Sequence, residues 1–275
     1  MEHTSGATEP RRPTMAKDFA CDLKVTEPLQ WLKAGIKDTF TAPVSSLSYG
    51  FAVFLVSILF VLALFHFGFS YILFPVVAGF MVLGPLVAIG LYGKSRSLSN
   101  GVRTVSTFEM LSVKARSPKQ LLLISIVLMF VMTLWLRAAV MLYALFFGLE
   151  PVGSFEETIE TLFFSNKGQM LLLIGSVIGG GLAAFAFTLS AFSIPMLVNE
   201  KRDTMTAMAL SVVISWMNKP VVFVWGVIVL TGFLISVLTA FVGLIVIFPI
   251  LGHATWHAYK AMRSKEALAE AERES

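Results

Sequence analysis

The stretch "VVFVWGVIVLTGFLISVLTAFVGLIVIFPILGHATWH", residues 221–257, holds no Lys, Arg, Asp or Glu. A helix crossing the roughly 30 Å hydrocarbon layer of a bilayer needs about 20 apolar residues. This run is too long for one crossing and just long enough for two. A division near Gly232 to Thr239 gives spans at 221–237 and 238–257. The competing division is one long span followed by a re-entrant piece, which by parity moves the C-terminus to the other side of the membrane.

The same reading extends to the rest of the chain. Of its 275 residues, 56% are hydrophobic and 14% charged, against about 25% charged in an average globular chain. The missing charges leave further apolar blocks at about 48–66, 71–92, 121–147 and 170–198. The fold class is therefore all-α, a polytopic bundle of about six transmembrane helices within a single membrane domain at 29–262. Residues 1–28 read as a disordered cytoplasmic N-terminus, and 263–275 as a charged cytoplasmic tail. No secretory signal peptide precedes the first apolar run. Cys21 is the one cysteine, so no intrachain disulfide and no paired-thiolate metal site can form.

Lys and Arg mark cytoplasmic segments beside span ends. Six lie in residues 1–40, six in 93–119, three in 199–219 and four after His257. The segment 148–168 carries Glu150, Glu156, Glu157 and Glu160 against Lys167, which places it outside. Six spans with both termini cytoplasmic, in a bacterial inner membrane, satisfy every segment. The net charge of +4 follows from this topology and indicates no nucleic-acid partner. The expected partners are the lipid bilayer and either other membrane proteins or further copies of the chain.

Three segments share a pattern that suggests an internal repeat. In "LQWLKAGIKDTFTAP", Leu29, Leu32, Ile36 and Phe40 share one helix face ahead of Pro43. In "VSTFEMLSVKARSP", Val105, Phe108, Leu111 and Ala115 do so ahead of Pro118. In "MTAMALSVVISWMNKP", Met205, Met208, Val212 and Trp216 precede Pro220. Each spacing predicts an amphipathic helix lying along the inner membrane surface, with the proline turning the chain into a span. The second span of each unit has a proline of its own: Pro85, Pro195 and Pro249. These are predicted kinks that free the carbonyls of Met81, Ala191 and Ile245.

The stretches "PVSSLSYG" (43–50), "GPLVAIGLY" (84–92), "LWLRAAVMLYALFFG" (134–148) and "FPILGHATWHAYKAM" (248–262) resemble a bacterial integral membrane family, domain of unknown function 2189. The resemblance runs over about residues 28–262, and the last stretch is its most specific part. It implies a polytopic inner-membrane protein and no particular activity. Some members carry a cytochrome c oxidase subunit label. This chain does not fit that label, because a haem-copper core needs several histidines converging from different spans. Here there are only His3, His66, His253 and His257.

His253 and His257, four residues apart, share one helix face and are the candidate metal ligands. The alternative is a helix leaving the membrane, with Trp256 and Tyr259 at the interface and Lys260 and Arg263 reaching headgroups. Arg137 is the one strongly charged residue inside an assigned span. It lies about 24 Å up from Leu121, within snorkelling reach of the outer boundary, and is also the candidate contact for an anion or lipid phosphate. Gly175, Gly179, Gly180 and Gly181, with Gly79, Gly84 and Gly90, suggest close helix approach.

No catalytic constellation is visible, since no serine or threonine can be matched to a histidine or carboxylate, and no cofactor is implied. Three functions are compatible with these residues. The first is an accessory or scaffold membrane protein. The second is a transporter or channel for a small solute, anion or lipid. The third is an intramembrane metal or haem protein using His253 and His257.

Overall fold

The computed structural model describes residues 19–264 apart from 21–22, 70–71, 103–104, 114 and 149–154, together with 268 and 273. The first 18 residues, Cys21 and most of the predicted charged tail lie outside the described residues. The fold is a helical bundle of α1 (Glu27–Thr41), α2 (Pro43–His66), α3 (Leu73–Val87), α4 (Ile89–Ser99), α5 (Thr107–Leu111), α6 (Pro118–Phe147), α7 (Phe155–Phe164), α8 (Asn166–Ser190), α9 (Ser193–Asn199), α10 (Thr204–Met217), α11 (Lys219–Leu238) and α12 (Leu244–Met262).

Among the described residues, five helical segments are long and apolar enough to cross a membrane: α2, α3–α4, α6, α8–α9 and α11. Their outward faces carry rows of exposed apolar side chains, such as Val56, Leu59 and Phe60 on α2 and Ile126, Met129 and Phe130 on α6. Apolar faces on this scale belong in hydrocarbon rather than water. α12 falls short on composition, because its second half holds His253, Thr255, His257 and Lys260. It nevertheless runs back along α11. A Cβ on Gly232 would meet Ile247 and Leu251, and one on Gly243 would meet Ser236 and Thr239. The turn falls at 239–243, a few residues later than the division at Gly232–Thr239, with Ala240 and Phe241 at positive φ. Ala20 then joins three distant segments: its N–H donates to Met262 O at 3.1 Å, and its carbonyl accepts from Asn218 Nδ2 at 3.1 Å. Ala20, Asn218 and Met262 therefore lie together at one end of the bundle.

The prolines start helices where expected. Pro43, Pro118 and Pro220 occupy the first two positions of α2, α6 and α11, where a missing N–H costs nothing. The residues before the first two, Ala42 (φ −137°, ψ 77°) and Ser117 (φ −125°, ψ 64°), have the non-helical dihedrals that make a corner. The helices leading into these corners differ from expectation. α1 packs against α12 through Trp31, Gly35 and Thr39 and leaves Leu29, Ile36 and Phe40 exposed. α10, capped by Asp203 accepting from the Thr206 N–H at 2.9 Å, buries Ala207, Leu210, Ser211 and Ile214 but exposes Met205 and Trp216. The middle one is a short helix of five residues, Thr107–Leu111, and Val105 and Ala115 lie outside it. On α1 most of the predicted apolar row thus points away from the protein, whereas on α10 the row is split, with Met208 buried and Met205 and Trp216 exposed.

The three span prolines act in three ways. Pro85 precedes a break at Ala88, where the Tyr49 hydroxyl donates to the Val87 carbonyl at 2.7 Å. Pro195 follows a break at Ala191–Phe192. There Ser211 accepts from the Phe192 N–H at 3.3 Å and donates to the Thr188 carbonyl at 2.7 Å. Pro249 leaves α12 continuous, and the Ile245 carbonyl that it deprives of a donor lies against Gly50, whose added Cβ would stand 2.3 Å away. The glycines divide as well. Gly79 packs on Met132 and Gly179 on Trp135, whereas Gly84, Gly175, Gly180 and Gly181 have nothing within 4 Å of an added Cβ.

The tight core lies at the end where Ala20 and Met262 meet. α9 is buried along its whole length, as are Leu91, Tyr92, Trp225, Trp256 and Tyr259. This corrects the interfacial reading of Trp256, Tyr259 and Arg263, since all three lie inside the protein. It also corrects the disordered reading of 1–28 where that segment is described: Phe19 is buried and pairs with Arg263, and α1 begins at Glu27.

Gly50 and Gly35 let α2 and α1 approach α12; a Cβ on Gly35 would lie 2.5 Å from the Ile250 carbonyl. Gly50→Leu should therefore lower stability by at least the ~1–3 kcal/mol of an overpacked core, read as a lower thermal midpoint in detergent. Gly175→Leu, facing open space, should leave the midpoint unchanged.

Candidate functional site

At the tight end, four elements bring together side chains that the sequence keeps far apart. α4 contributes Lys94 and Ser95, both fully buried. The first turn of α2 contributes Ser45 and Ser46, α1 contributes Asp38, and α12 contributes His253 and His257. Lys94 Nζ donates to the corner carbonyl of Ala42 at 2.7 Å, to Ser45 Oγ at 3.0 Å and to Ser46 Oγ at 2.6 Å. All three ammonium protons are thereby used. Ser46 Oγ lies 2.9 Å from His253 Nε2, and His253 Nδ1 lies 2.7 Å from Ser95 Oγ. Ser95 Oγ donates to Asp38 Oδ2 at 2.7 Å, and His257 Nε2 lies 2.8 Å from the same oxygen.

The two ends of this chain set the direction of every bond within it. An ammonium only donates and a carboxylate only accepts. Ser95 gives its proton to Asp38, so it accepts from His253 Nδ1–H. His253 Nε2 is then an acceptor and takes the Ser46 proton, while Ser46 Oγ accepts from Lys94. The result is a continuous donor series from Lys94 through Ser46, His253 and Ser95 to Asp38, with a neutral histidine protonated at Nδ1. His257 donates to Asp38 from the more exposed side. Burial pushes the Asp38 carboxyl upward, but the hydrogen bonds from His257 and Ser95 and the nearby histidines outweigh it, so its pKa lies below the ordinary 3.8.

A second cluster closes the same end. Glu200, just past α9, accepts from Arg263 Nε at 3.0 Å and Nη2 at 2.9 Å in a two-pronged pair. It also accepts from the Tyr259 hydroxyl at 2.6 Å and Arg202 Nε at 3.0 Å. The Glu200 carbonyl accepts from Ser117 Oγ at 3.0 Å, and an Arg96 guanidinium N–H donates to the Val198 carbonyl.

Of the candidates read from sequence, His253 and His257 do share a face, and both reach the same carboxylate, His253 through Ser95. Neither is arranged as a metal ligand: the His253 nitrogens are taken by hydroxyls, and among the described residues no three His, Cys, Asp or Glu side chains gather around one point. Ser46 and His253 form a hydroxyl–imidazole pair that the sequence reading did not find. Ser46 is fully buried and already bonded to Lys94, so nothing can approach it from outside. Arg137 lies on the exposed face of α6, far along the chain from the network and off the walls of the one large cavity described. Pro85 lines that cavity, while Pro195 and Pro249 are buried.

That cavity, about 460 Å³, lies between α3, α8, α11 and α12. Its walls are apolar. Besides Tyr92, the hydroxyl-bearing residues on them bond to their own helices: Thr188 donates to the Phe185 carbonyl, Ser236 to Gly232 and Thr255 to Leu251.

Removing one end of the donor series leaves the other uncompensated. Lys94→Met and Asp38→Asn should each destabilise, Lys94→Met by about 3–5 kcal/mol. The double mutant should cost less than the sum, with a coupling of about 0.5–3 kcal/mol, measured by unfolding in detergent. The Asp38 pKa is depressed on folding, so its contribution is present above 3.8 and is lost as pH falls through the folded value. The thermal midpoint should therefore fall as the pH is lowered from about 5 through and below the folded value, and fall less in Asp38→Asn.

No curated protein and no solved structure matches the chain. A family model described as "Predicted integral membrane protein (DUF2189)" matches residues 72–199. This is α3 to α9, a shorter stretch than the 28–262 of the sequence resemblance. It contains Lys94 and Ser95 but not Asp38, Ser46 or His253. Over residues 72–199, then, the chain is similar to the family of predicted integral membrane proteins DUF2189, and the five long apolar helices among the described residues agree with that description.

Proposed function

We propose that the protein is an accessory or scaffold component of a bacterial inner membrane, crossing it six times with both ends in the cytoplasm and built from three units of corner helix and two spans. The carrying observation is where the buried charges are. Among the described residues, the buried ionised side chains Lys94, Glu200 and Arg263 are all spent on tying helix ends together at one end of the bundle. The carbonyls near the breaks in α3–α4 and α8–α9 are met by Tyr49 and Ser211 rather than left for a solute, unlike the substrate sites of transporters with broken helices. Arg137 faces outward, where an arginine reaches the headgroups. The return of the chain to one end, through Ala20, Asn218 and Met262, supports an even number of crossings. The recurring order of helix, proline and long helix supports the three units. Lys and Arg clustered at that end support its cytoplasmic assignment.

Two measurements test this reading. In vesicles loaded with chloride or phosphate, efflux with the reconstituted protein should equal that of empty vesicles. Efflux above that level that Arg137→Ala abolishes would establish the transport reading instead. A C-terminal fusion to a reporter active only in the periplasm should be silent, and a periplasmic signal would overturn the six-crossing topology.

A further inference from the structure

The cavity between α3, α8, α11 and α12 is walled almost wholly by apolar side chains, which offer water few partners. Its exposed lining residues are Gly180 and Ala184 on α8 and Phe223, Val227 and Leu230 on α11, while α3 and α12 supply the less exposed floor. The mouth therefore opens sideways between two membrane-spanning helices, into the hydrocarbon layer. The room comes from small side chains: an added Cβ on Gly84 or Gly180 meets nothing within 4 Å, and one on Gly226 meets only the edge of Phe187 at 3.9 Å.

One turn before Val222 and Phe223 at the cytoplasmic-end rim, Lys219 holds its ammonium 3.3 Å from the centre of the Trp216 ring. Trp216 is itself exposed. An exposed Lys–Trp pair at the start of a span marks the headgroup level. An apolar slot thus runs inward from a fixed positive charge, complementary to a phosphate with a hydrocarbon tail.

We propose that this cavity is a binding site for one acyl chain of a membrane phospholipid, which enters between α8 and α11 with its phosphate at Lys219. The occupant is a structural lipid, held more tightly than the annular lipids on the exposed apolar faces of α2 and α6. The site is independent of the accessory role proposed above, since a transporter would bind the same lipid.

Native mass spectrometry of the protein in mild detergent should show one phospholipid retained per chain. Gly84→Leu and Gly180→Leu, which fill open space, should lose it while keeping the helical circular dichroism and elution volume of the wild type. In vesicles of phosphatidylglycerol carrying a diazirine midway along one acyl chain, photolabelling should concentrate on 180–188 and 223–230. It should drop at least fivefold there in Gly180→Leu, with labelling of Val56–Phe60 on α2 unchanged. Wild-type protein that retains no lipid, or that is labelled no more densely at the cavity than on α2, overturns the proposal. So does a filled variant that still carries its lipid.

Discussion

The structure depends on how a buried ammonium is satisfied at the corner between α1 and α2. A chain that turns from one helix into another at a proline leaves carbonyls without helical donors. At the edge of a bilayer these cannot all be left to water. Lys94 meets this need at the first corner by reaching the Ala42 carbonyl and both serines of the next turn. Its own charge then needs an answer, and Asp38 on the far side of His253 provides it. The relay between them crosses α2, α12, α4 and α1, so each of these helices is fixed to the others by a polar contact as well as by packing. Buried polar networks hold structure when every member is satisfied and fail when one is not. This one is complete from end to end.

The other two corners are solved by different chemistry with the same result. At Ser117 the backbone N–H donates to the Leu197 carbonyl at 3.2 Å, and the hydroxyl reaches Glu200. At Asn218 the side-chain amide bridges Ala20 and Ile214. Glu200 in turn is fastened to α12 through Tyr259 and Arg263. Each corner is thus held by a segment remote in sequence, and the segments that hold them converge on one end. This explains why the tight core is there and not midway along the spans, where lipid covers the helices instead.

The spans were legible because hydrocarbon imposes a length and a composition that any window of the chain must obey. The corners were legible because proline has one place to sit at a helix start. The breaks at Ala88 and Ala191 lie within four residues of Pro85 and Pro195, whereas α12 passes Pro249 unbroken. The network was not legible, because its partners are brought together only by tertiary packing: Asp38 and His257 are 219 positions apart. Asp38 in the sequence is one acid on a helix with Lys33 and Lys37, which reads as an ordinary solvated face. Trp256, Tyr259 and Arg263 were misread for a related reason. The interface-belt pattern describes a helix alone in a bilayer, and α12 is enclosed by α1, α2, α4 and α9. The apolar rows of α1 and α10 were identified correctly as rows. The contact faces of α1 and α10 were harder to read, because each mixes large side chains (Trp31, Leu210, Ile214) with Gly35, Ala207 and Ser211, whose hydropathy does not distinguish a contact surface from a polar one.

A tight end and an open middle are two consequences of the same arrangement. Helices held only by apolar packing in lipid gain little from association beyond dispersion and close fit, so a gap along them would tend to close or to separate them. Pinning their ends by ionised and hydrogen-bonded groups removes that requirement. α8 can then pack on α3, α6, α7 and α10 while leaving much of its surface open to lipid, as at Leu173, Val177 and Phe185. It is nonetheless held, because α9 is gripped on all sides and Ser211 bridges the break between them. Small residues at Gly84, Gly180 and Gly226 can therefore persist on facing helices without drawing them together. The space they leave follows from the polar lock, and hydrocarbon from the bilayer is the component with the chemistry to fill it.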